Sequence, residues 1–130
     1  MTVPRPPEIT VFVRGIPYAR SKTKGRLNAP NVWTTTVVDQ TRGLPRLLGP
    51  CELDVEFVLP ADKFPRDFPY GMDLDNLLKR LLDALGKTVL QDAPGGDSAI
   101  VRLSARKHPA SPTEEPGARI VLRDVGTLPW

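Results

Sequence analysis

The strongest hydrophobic pattern in the chain lies between Asp73 and Leu85, a stretch that reads DLDNLLKRLLDAL. At about 100° per residue, its leucines and its alanine fall on one broad side, as expected for an amphipathic helix. The apolar positions are Leu74, Leu77, Leu78, Leu81, Leu82, Ala84 and Leu85. The pattern therefore predicts a helix over residues 73–85 that packs one side against a core and exposes the other.

Four other stretches alternate between apolar and polar residues, which is typical of strands with one buried face. They are residues 8–14, 51–59, 98–106 and 117–125. In the second of them Glu52, Asp54 and Glu56 all point the same way. We expect these carboxylates to pair with basic groups on a neighbouring strand.

The remaining elements complete a simple order. Residues 31–48 predict a helix that is interrupted near Gly43 and whose start lies in an extended stretch, because Pro45 and three consecutive threonines oppose a long helix. The order strand, helix, strand, helix, strand, strand predicts an α/β protein of the α+β kind. We expect a small mixed sheet of about four strands with two helices packed on it. At 130 residues the chain is expected to form a single domain.

Composition describes an ordinary globular protein with a modest basic excess. Hydrophobic residues make up 40% and charged residues 25% of the chain, and the net charge of +3 fits an anionic partner without demanding one. The single cysteine, Cys51, excludes an internal disulfide and is predicted to be a small buried residue. Because the sequence shows neither a signal peptide nor a stretch long enough to span a membrane, we expect an intracellular protein.

The inventory of reactive residues excludes several chemistries. One cysteine and one histidine cannot form a zinc finger. The histidine, His108, lies in a proline-rich stretch predicted as a loop over residues 108–116, with no serine or cysteine motif around it. A Ser-His-Asp or Cys-His site is therefore not expected.

A basic stretch follows the first predicted strand. It contains Arg20, Lys22, Lys24 and Arg26, and no acidic residue occurs from position 9 to position 28. Such side chains make most protein contacts with the DNA backbone, and a solvated loop is the alternative. We treat these four residues as candidate DNA-binding residues, together with Arg66 in the proline-rich loop before the leucine-rich helix.

The polar side of that helix allows two interpretations. Asp73 and Asp75 stand at its start, and Lys79 follows one turn later. In the structural interpretation Asp73 caps the helix, and Asp75, Lys79 and Asp83 form a solvated row of ion pairs. In the catalytic interpretation the two aspartates hold a divalent cation.

Hydrolysis of a phosphodiester needs charge neutralisation and an activated water. Mg²⁺ held by two or three carboxylates supplies both, and Mn²⁺ is the alternative ion. A third carboxylate would come from Asp97, just before the third predicted strand, or from Asp92. Lys79 is placed to position the attacking water or to stabilise charge on the phosphate.

The string D-x-D-N-L-x-K-x-x-x-D-A-L resembles the core motif of the RusA-type Holliday junction resolvases, which are small metal-dependent endodeoxyribonucleases. The matching residues are Asp73, Asp75, Asn76, Lys79, Asp83, Ala84 and Leu85. The family motif continues with an acidic pair, a nearby glutamine and an aliphatic strand that ends in lysine. Here Gly96 stands at the first acidic position, Asp97 at the second and Lys107 at the lysine. The resemblance covers roughly residues 8–124.

The resemblance implies a Mg²⁺-dependent endonuclease that resolves four-way DNA junctions by paired symmetric nicks, in DNA recombination and repair. It implies a homodimer, with Asp73, Asp75 and Asp97 as metal ligands and Lys79 as a further catalytic residue. A nuclease for other branched DNA and a junction-binding protein with weak or no cleavage are the alternatives. A cytoplasmic protein of bacterial or phage origin would fit the family.

Overall fold

The computed structural model describes residues 8–17, 29–61 and 73–126. The helices and strands follow one another in the predicted order. They are β1 (Glu8–Arg14), α1 (Ala29–Thr41), β2 (Cys51–Leu59), α2 (Leu74–Leu85), a short 3-10 helix (Gly96–Ala99), β3 (Ile100–Pro109) and β4 (Gly117–Asp124). The predicted fold class, a small mixed sheet with two helices, is confirmed.

The four strands form one sheet in the order β1-β4-β2-β3. β4 runs antiparallel to both β1 and β2, whereas β2 and β3 are parallel. Because two parallel strands need a long connection that returns the chain to the same end of the sheet, α2 lies between them in sequence. The loop before α2 and the turn after it are therefore parts of one crossover.

Both helices pack on the same face of the sheet, where their apolar sides join the inward-pointing residues of the strands in one core. The core includes Trp33 and Val37 from α1, Leu77, Leu81, Ala84 and Leu85 from α2, and Cys51, Leu53, Val55, Phe57, Ala118, Ile120 and Leu122 from the two central strands. Full burial of a leucine stabilises a fold by about 1.5–3 kcal/mol. The three fully buried leucines of α2 therefore anchor this helix firmly, and its polar side is held on a rigid support.

Helix α1 begins earlier than the sequence predicted. Its start lies at Ala29, so the expectation of an extended start was wrong. Pro30 falls in the first turn, where a missing backbone N–H leaves no helical hydrogen bond unmade. The threonine hydroxyls are accommodated inside the helix, since Thr36 donates to the carbonyl of Val32 at 2.8 Å and Thr41 to that of Val37 at 2.7 Å.

Strand β3 begins two residues later than predicted, at Ile100 instead of Ser98. The preceding glycines, Gly95 and Gly96, have φ angles of 76° and 59°, a left-handed conformation that glycine adopts without steric cost. They turn the chain into the 3-10 helix that carries Asp97, and the extended conformation starts only after it.

The same strand also ends later than predicted. His108 and Pro109 belong to β3 and not to the loop that follows it, because β2 continues beside them with Val58 opposite His108 and Leu59 opposite Pro109. The connection between β3 and β4 therefore shortens to residues 110–116. This places the imidazole on the sheet.

The sheet face opposite the helices carries charged side chains in register. Strand pairing places Glu8, Arg123, Glu52 and Arg102 side by side across all four strands. Arg123 Nε lies 3.3 Å from Glu8 Oε2, and its Nη1 lies 3.7 Å from Glu52 Oε2. Arg102 Nη1 lies 3.9 Å from Glu52 Oε1. Opposite charges thus alternate across this row, which is the favourable cross-strand arrangement.

A second row of charges is centred on Glu56. Its carboxylate lies 2.7 Å from Arg106 Nε on β3 and 3.6 Å from Arg119 Nε on β4. The predicted pairing of the β2 carboxylates with a neighbouring strand is therefore confirmed for Glu52 and Glu56. Asp54 makes no ion pair with the part of the chain that the structure describes. The arginines of this open face are thus largely neutralised by glutamates.

Cys51 is fully buried at the start of β2, as predicted. Burial, with a smaller contribution from the negative charge of Asp124, raises the pKa of the Cys51 thiol to about 11. The thiol is therefore neutral at physiological pH and acts as a small apolar side chain, because only the thiolate is reactive.

Candidate active site

The start of α2 brings the first candidate carboxylate to the surface. Asp73 is the N-cap residue, and its carbonyl oxygen closes the first helical turn by accepting from the amide of Leu77 at 3.1 Å. Its side chain, however, makes no capping hydrogen bond. The predicted N-cap position is confirmed, and the capping hydrogen bond of the structural interpretation is absent. The Asp73 carboxylate is exposed, and it forms no ion pair with the described residues.

Three of the four charged residues that follow on α2, namely Asp75, Lys79 and Asp83, are also exposed, whereas Arg80 is half-buried. Asp75, Lys79 and Asp83 form no ion pair with one another or with any other described residue. The interpretation as a row of salt bridges is therefore not supported by the geometry of α2. Within the part of the chain that the structure describes, two carboxylates at the helix start and an ammonium group one turn later therefore have no charged partner.

Asp92 and Asp97 lie in different surroundings, on the turn and the 3-10 helix that lead from α2 into β3. Asp92 faces a cation, because Arg46 Nη1 lies 3.8 Å from its Oδ2 and also donates a hydrogen bond to the side chain of Gln91. Asp97 is exposed and forms no ion pair with the described residues. Of the two, Asp97 is the carboxylate without a competing positive charge.

Arg46 is a residue that sequence reasoning did not single out. It follows α1 and lies 45 positions from Gln91 in the chain. The backbone fixes the approach of the two segments, since the amide of Leu47 donates to the carbonyl of Val89 at 2.8 Å. No local pattern signals such a contact, because only the packing of α1 beside α2 creates it.

The carboxylates have the right chemistry for a hard divalent cation. Mg²⁺ takes oxygen ligands, keeps several of its waters and is commonly held by one or two carboxylates. The side chains of Asp73 and Asp75 at the start of α2 fit that requirement, because both are exposed and Asp73 makes no capping hydrogen bond. Within residues 8–17, 29–61 and 73–126, however, no three Asp, Glu, His or Cys side chains approach closely enough to form an all-protein metal site. A third ligand at Asp97 stays a prediction.

The candidate DNA-binding residues fall outside the described part of the chain. Arg20, Lys22, Lys24 and Arg26 lie between β1 and α1, and Arg66 lies between β2 and α2. Their assignment rests on the sequence alone.

Comparison with known proteins identifies the family. A family model described as endodeoxyribonuclease RusA matches residues 31–123. The chain belongs to the RusA endodeoxyribonuclease family. The RusA match includes Asp73, Asp75, Lys79, Asp97 and Arg66, whereas the four basic residues between positions 20 and 26 precede it.

Membership in the RusA family makes the protein a hydrolase of the nuclease class with DNA as its partner, and it confirms the resemblance found in the helix motif. None of the curated proteins compared with the chain matches it. No helix in the described residues has the length and apolar character needed to span a membrane.

Proposed function

We propose that this protein is a Mg²⁺-dependent endonuclease that resolves four-way DNA junctions by paired, symmetric nicks, in DNA recombination and repair. One observation carries the proposal. Within the region that matches the RusA family, Asp73, Asp75 and Lys79 stand exposed on a helix anchored by buried leucines, and none of them forms an ion pair with a described residue.

In the proposed site each side chain has a distinct part. Asp73 and Asp75 hold the cation through carboxylate oxygens, and Asp97 is the proposed third ligand. Bound Mg²⁺ would supply charge neutralisation at the phosphate and a more acidic water. Lys79, one turn into α2, orients the scissile phosphate and stabilises the negative charge that develops on it.

The proposed assembly is a homodimer. A four-way junction has two-fold symmetry, and two coordinated cuts at symmetric positions call for two active sites related by a two-fold axis. The homodimer would present two copies of the α2 site to the two strands that are cut.

The charge distribution supports a DNA footprint away from the open sheet face. The arginines Arg102, Arg106, Arg119 and Arg123 are all within 4 Å of a glutamate oxygen on that face. A protein gains DNA affinity by neutralising phosphates with cations, and cations already paired with carboxylates contribute less. The polar side of α2 and the basic stretch after β1 are therefore the proposed contact regions.

A labelled four-way junction, incubated with the protein in the presence and absence of Mg²⁺, tests the function. We expect symmetric nicks in two opposing strands with Mg²⁺, and binding without cleavage in EDTA. A linear duplex of the same sequences is the control and should remain intact. Cleavage of flaps or forks in preference to the four-way junction would instead identify a nuclease for other branched DNA.

A non-cutting junction-binding protein is the second candidate. Gly96 occupies the position of the first acidic residue in the family's pair, and the described residues contain no assembled three-ligand site. Tight junction binding without nicks in either Mg²⁺ or Mn²⁺ would favour this candidate over the nuclease.

The basic stretch yields a prediction about DNA affinity. Replacing Lys22, Lys24 and Arg26 together with alanine should weaken junction binding uniformly across sequences. Each lost phosphate contact takes about 0.9 off the slope of log K against log salt, so the slope should become shallower by nearly three. The measurement is fluorescence anisotropy with a labelled junction from low to moderate salt.

The matched control for this triple variant is Arg102→Ala, an arginine that is already paired with Glu52 on the open sheet face. It should leave the salt slope nearly unchanged. If the triple variant keeps both the affinity and the slope of the unaltered protein, the basic stretch does not contact DNA, and the contacts must be sought around Lys63, Arg66 and Arg80.

A further inference from the structure

Each of the two ring nitrogens of His108 faces an oxygen atom that can accept a hydrogen bond. Its Nδ1 is 2.9 Å from the carbonyl oxygen of Pro109, and its Nε2 is 3.5 Å from Oε1 of Glu56 on β2. A second carboxylate oxygen, Oε1 of Glu114, lies 4.0 Å from Nδ1. Glu114 belongs to the connection between β3 and β4.

This geometry suits the protonated ring. A neutral imidazole carries one N–H donor and one lone pair, so one of the two nitrogens would face an acceptor with nothing to donate. The imidazolium donates from both nitrogens and adds a positive charge beside two carboxylates. The ring thus matches its surroundings only when it holds the second proton.

The other cations near His108 pair with Glu56 but not with Glu114. Glu56 also pairs with Arg106 on the same strand as the ring and with Arg119 on β4, and its side chain is only 16% exposed. Arg106 lies against Oε2 of Glu56, and Arg119 shares Oε1 with the imidazole. Neither arginine forms an ion pair with Glu114, so among the described residues His108 is the cation that pairs with it. A second ion pair joins the sheet to the connection without the imidazole, because Arg14 Nε of β1 lies 3.4 Å from Glu115 Oε2.

The connection is organised around Glu114. Oε1 of Glu114 accepts a hydrogen bond from the backbone amide of Ser111 at 2.9 Å, which closes a turn within residues 111–114. At the far end of the connection the carbonyl of Pro116 accepts from the amide of Gly15, just after β1, at 3.2 Å. The Ser111 amide therefore reports directly on Glu114, whereas the Gly15 amide lies beside the ion pair of Arg14 and Glu115 and reports on the far end of the connection.

We propose that His108, Glu56 and Glu114 form a proton-dependent clamp that holds the turn of residues 111–114, in the connection between β3 and β4, against the sheet and opens when the imidazole loses its proton. The described residues give no group of three carboxylate, imidazole or thiolate ligands that could hold a metal, so the cluster is an ion-pair device and not a metal site.

The electrostatics of the cluster agree with this geometry. The hydrogen bond to the carbonyl of Pro109, helped by Glu56 and Glu114, raises the pKa of His108 above its ordinary value, although partial burial opposes the rise. The hydrogen bond from the Ser111 amide, helped by His108 and Arg119, lowers the pKa of Glu114.

The direction of the pH dependence follows from these shifts. A raised histidine pKa stabilises the folded state below about 6.5, the ordinary histidine value, and this stabilisation is lost as the pH rises through the folded pKa. The lowered pKa of the Glu114 carboxyl stabilises the folded state at pH values above the ordinary titration range of glutamate. This stabilisation is lost as the pH falls through the folded pKa. The clamp is therefore closed at pH values between the titration of Glu114 and that of His108, and it opens as the pH rises through the pKa of His108.

The experiment exploits the fact that the chain has a single histidine. Titration of its ring signals by NMR gives one unambiguous pKa, which we expect to lie above about 6.5 in the unaltered protein. Glu56→Gln and Glu114→Gln should each lower it. Glu52→Gln, a charge-matched change in the other row of β2, should leave it unchanged.

Hydrogen exchange measures the opening itself. The protection factor of the Ser111 amide should fall severalfold as the pH rises through the histidine pKa, whereas that of the Gly15 amide, beside the ion pair of Arg14 and Glu115, should change little. In the variant His108→Gln the protection factor of the Ser111 amide should already be low and independent of pH. The buried amides of β4 serve as the internal reference for global unfolding.

A histidine pKa at or below its ordinary value in the unaltered protein would overturn the proposal, as would Ser111 protection that does not change across the titration. The unaltered protein and Glu114→Gln, a substitution in an exposed connection, decide the matter even if Glu56→Gln does not fold. All measurements are made without DNA, so their outcome is independent of the proposed nuclease function.

Discussion

Junction cleavage by the variant Asp75→Asn is expected to fall at least about a hundredfold, while its affinity for the junction stays close to that of the unaltered protein. Even partners that only orient metal ligands typically cost ten- to a hundredfold when removed, so loss of a ligand itself should cost no less. The basic residues proposed to bind DNA are untouched by the change. Single-turnover cleavage in Mg²⁺ and anisotropy in EDTA measure the two quantities separately.

Magnitudes distinguish a lost ligand from a damaged helix. A hundredfold loss of rate corresponds to about 2.7 kcal/mol of transition-state stabilisation. The acidic group in the first turn of α2 contributes only about 0.3–1 kcal/mol to the helix through its dipole. That is small beside the 5–15 kcal/mol by which folded domains are typically stable, so the variant should remain folded.

Asp39→Asn is the matched control for this substitution. Asp39 is an exposed helical aspartate on α1, outside the α2 motif, and its ion pair with Arg42 is a surface pair. Its removal should change neither cleavage nor binding, because exposed pairs contribute about 0–1 kcal/mol to stability. Full cleavage by Asp75→Asn in Mg²⁺ would remove Asp75 from the proposed metal site.

The second large effect concerns the third ligand. Asp97→Asn should impair cleavage at least about tenfold more than Asp92→Asn, by the same ligand argument. Asp92 already faces Arg46, in a pair whose side chains are 36% and 59% exposed, and losing it should cost little stability. Asp97 has no such partner in the described residues.

Cleavage alone would not show that Asp97 acts through a metal. Binding of Mn²⁺, followed by electron paramagnetic resonance in the absence of DNA, should weaken in Asp97→Asn and remain unaltered in Asp92→Asn. The reverse ranking in both assays would show that the alignment through the turn is wrong and that Asp92 is the ligand.

The sequence by itself determined the order of the helices and strands and the buried faces of α2, β1 and β2. The leucine spacing of α2 and the alternation in β1 and β2 were sufficient, because burial of one side of a helix or strand imposes a period that the chain displays directly. The helix motif was also sufficient to indicate the RusA family, since its residues are close together in the chain.

Local signals were less reliable where the backbone departs from regular structure. The start of β3 depends on two glycines in a left-handed conformation, and its end depends on the length of the neighbouring strand. The capping bond expected of Asp73 is absent, although the residue type and position were right. In each case the outcome depends on the geometry of the backbone, which the residue types restrict but do not fix.

Only the tertiary structure decided which charged groups meet. Glu56 faces Arg106, Arg119 and His108 because β2 lies between β4 and β3 in one particular register, and a shift by one residue would turn each side chain to the other face of the sheet. Arg46 reaches Asp92 because α1 packs beside α2. Such contacts join residues far apart in the chain, and their energies depend on distances of a few ångströms, which no local pattern of residue types contains.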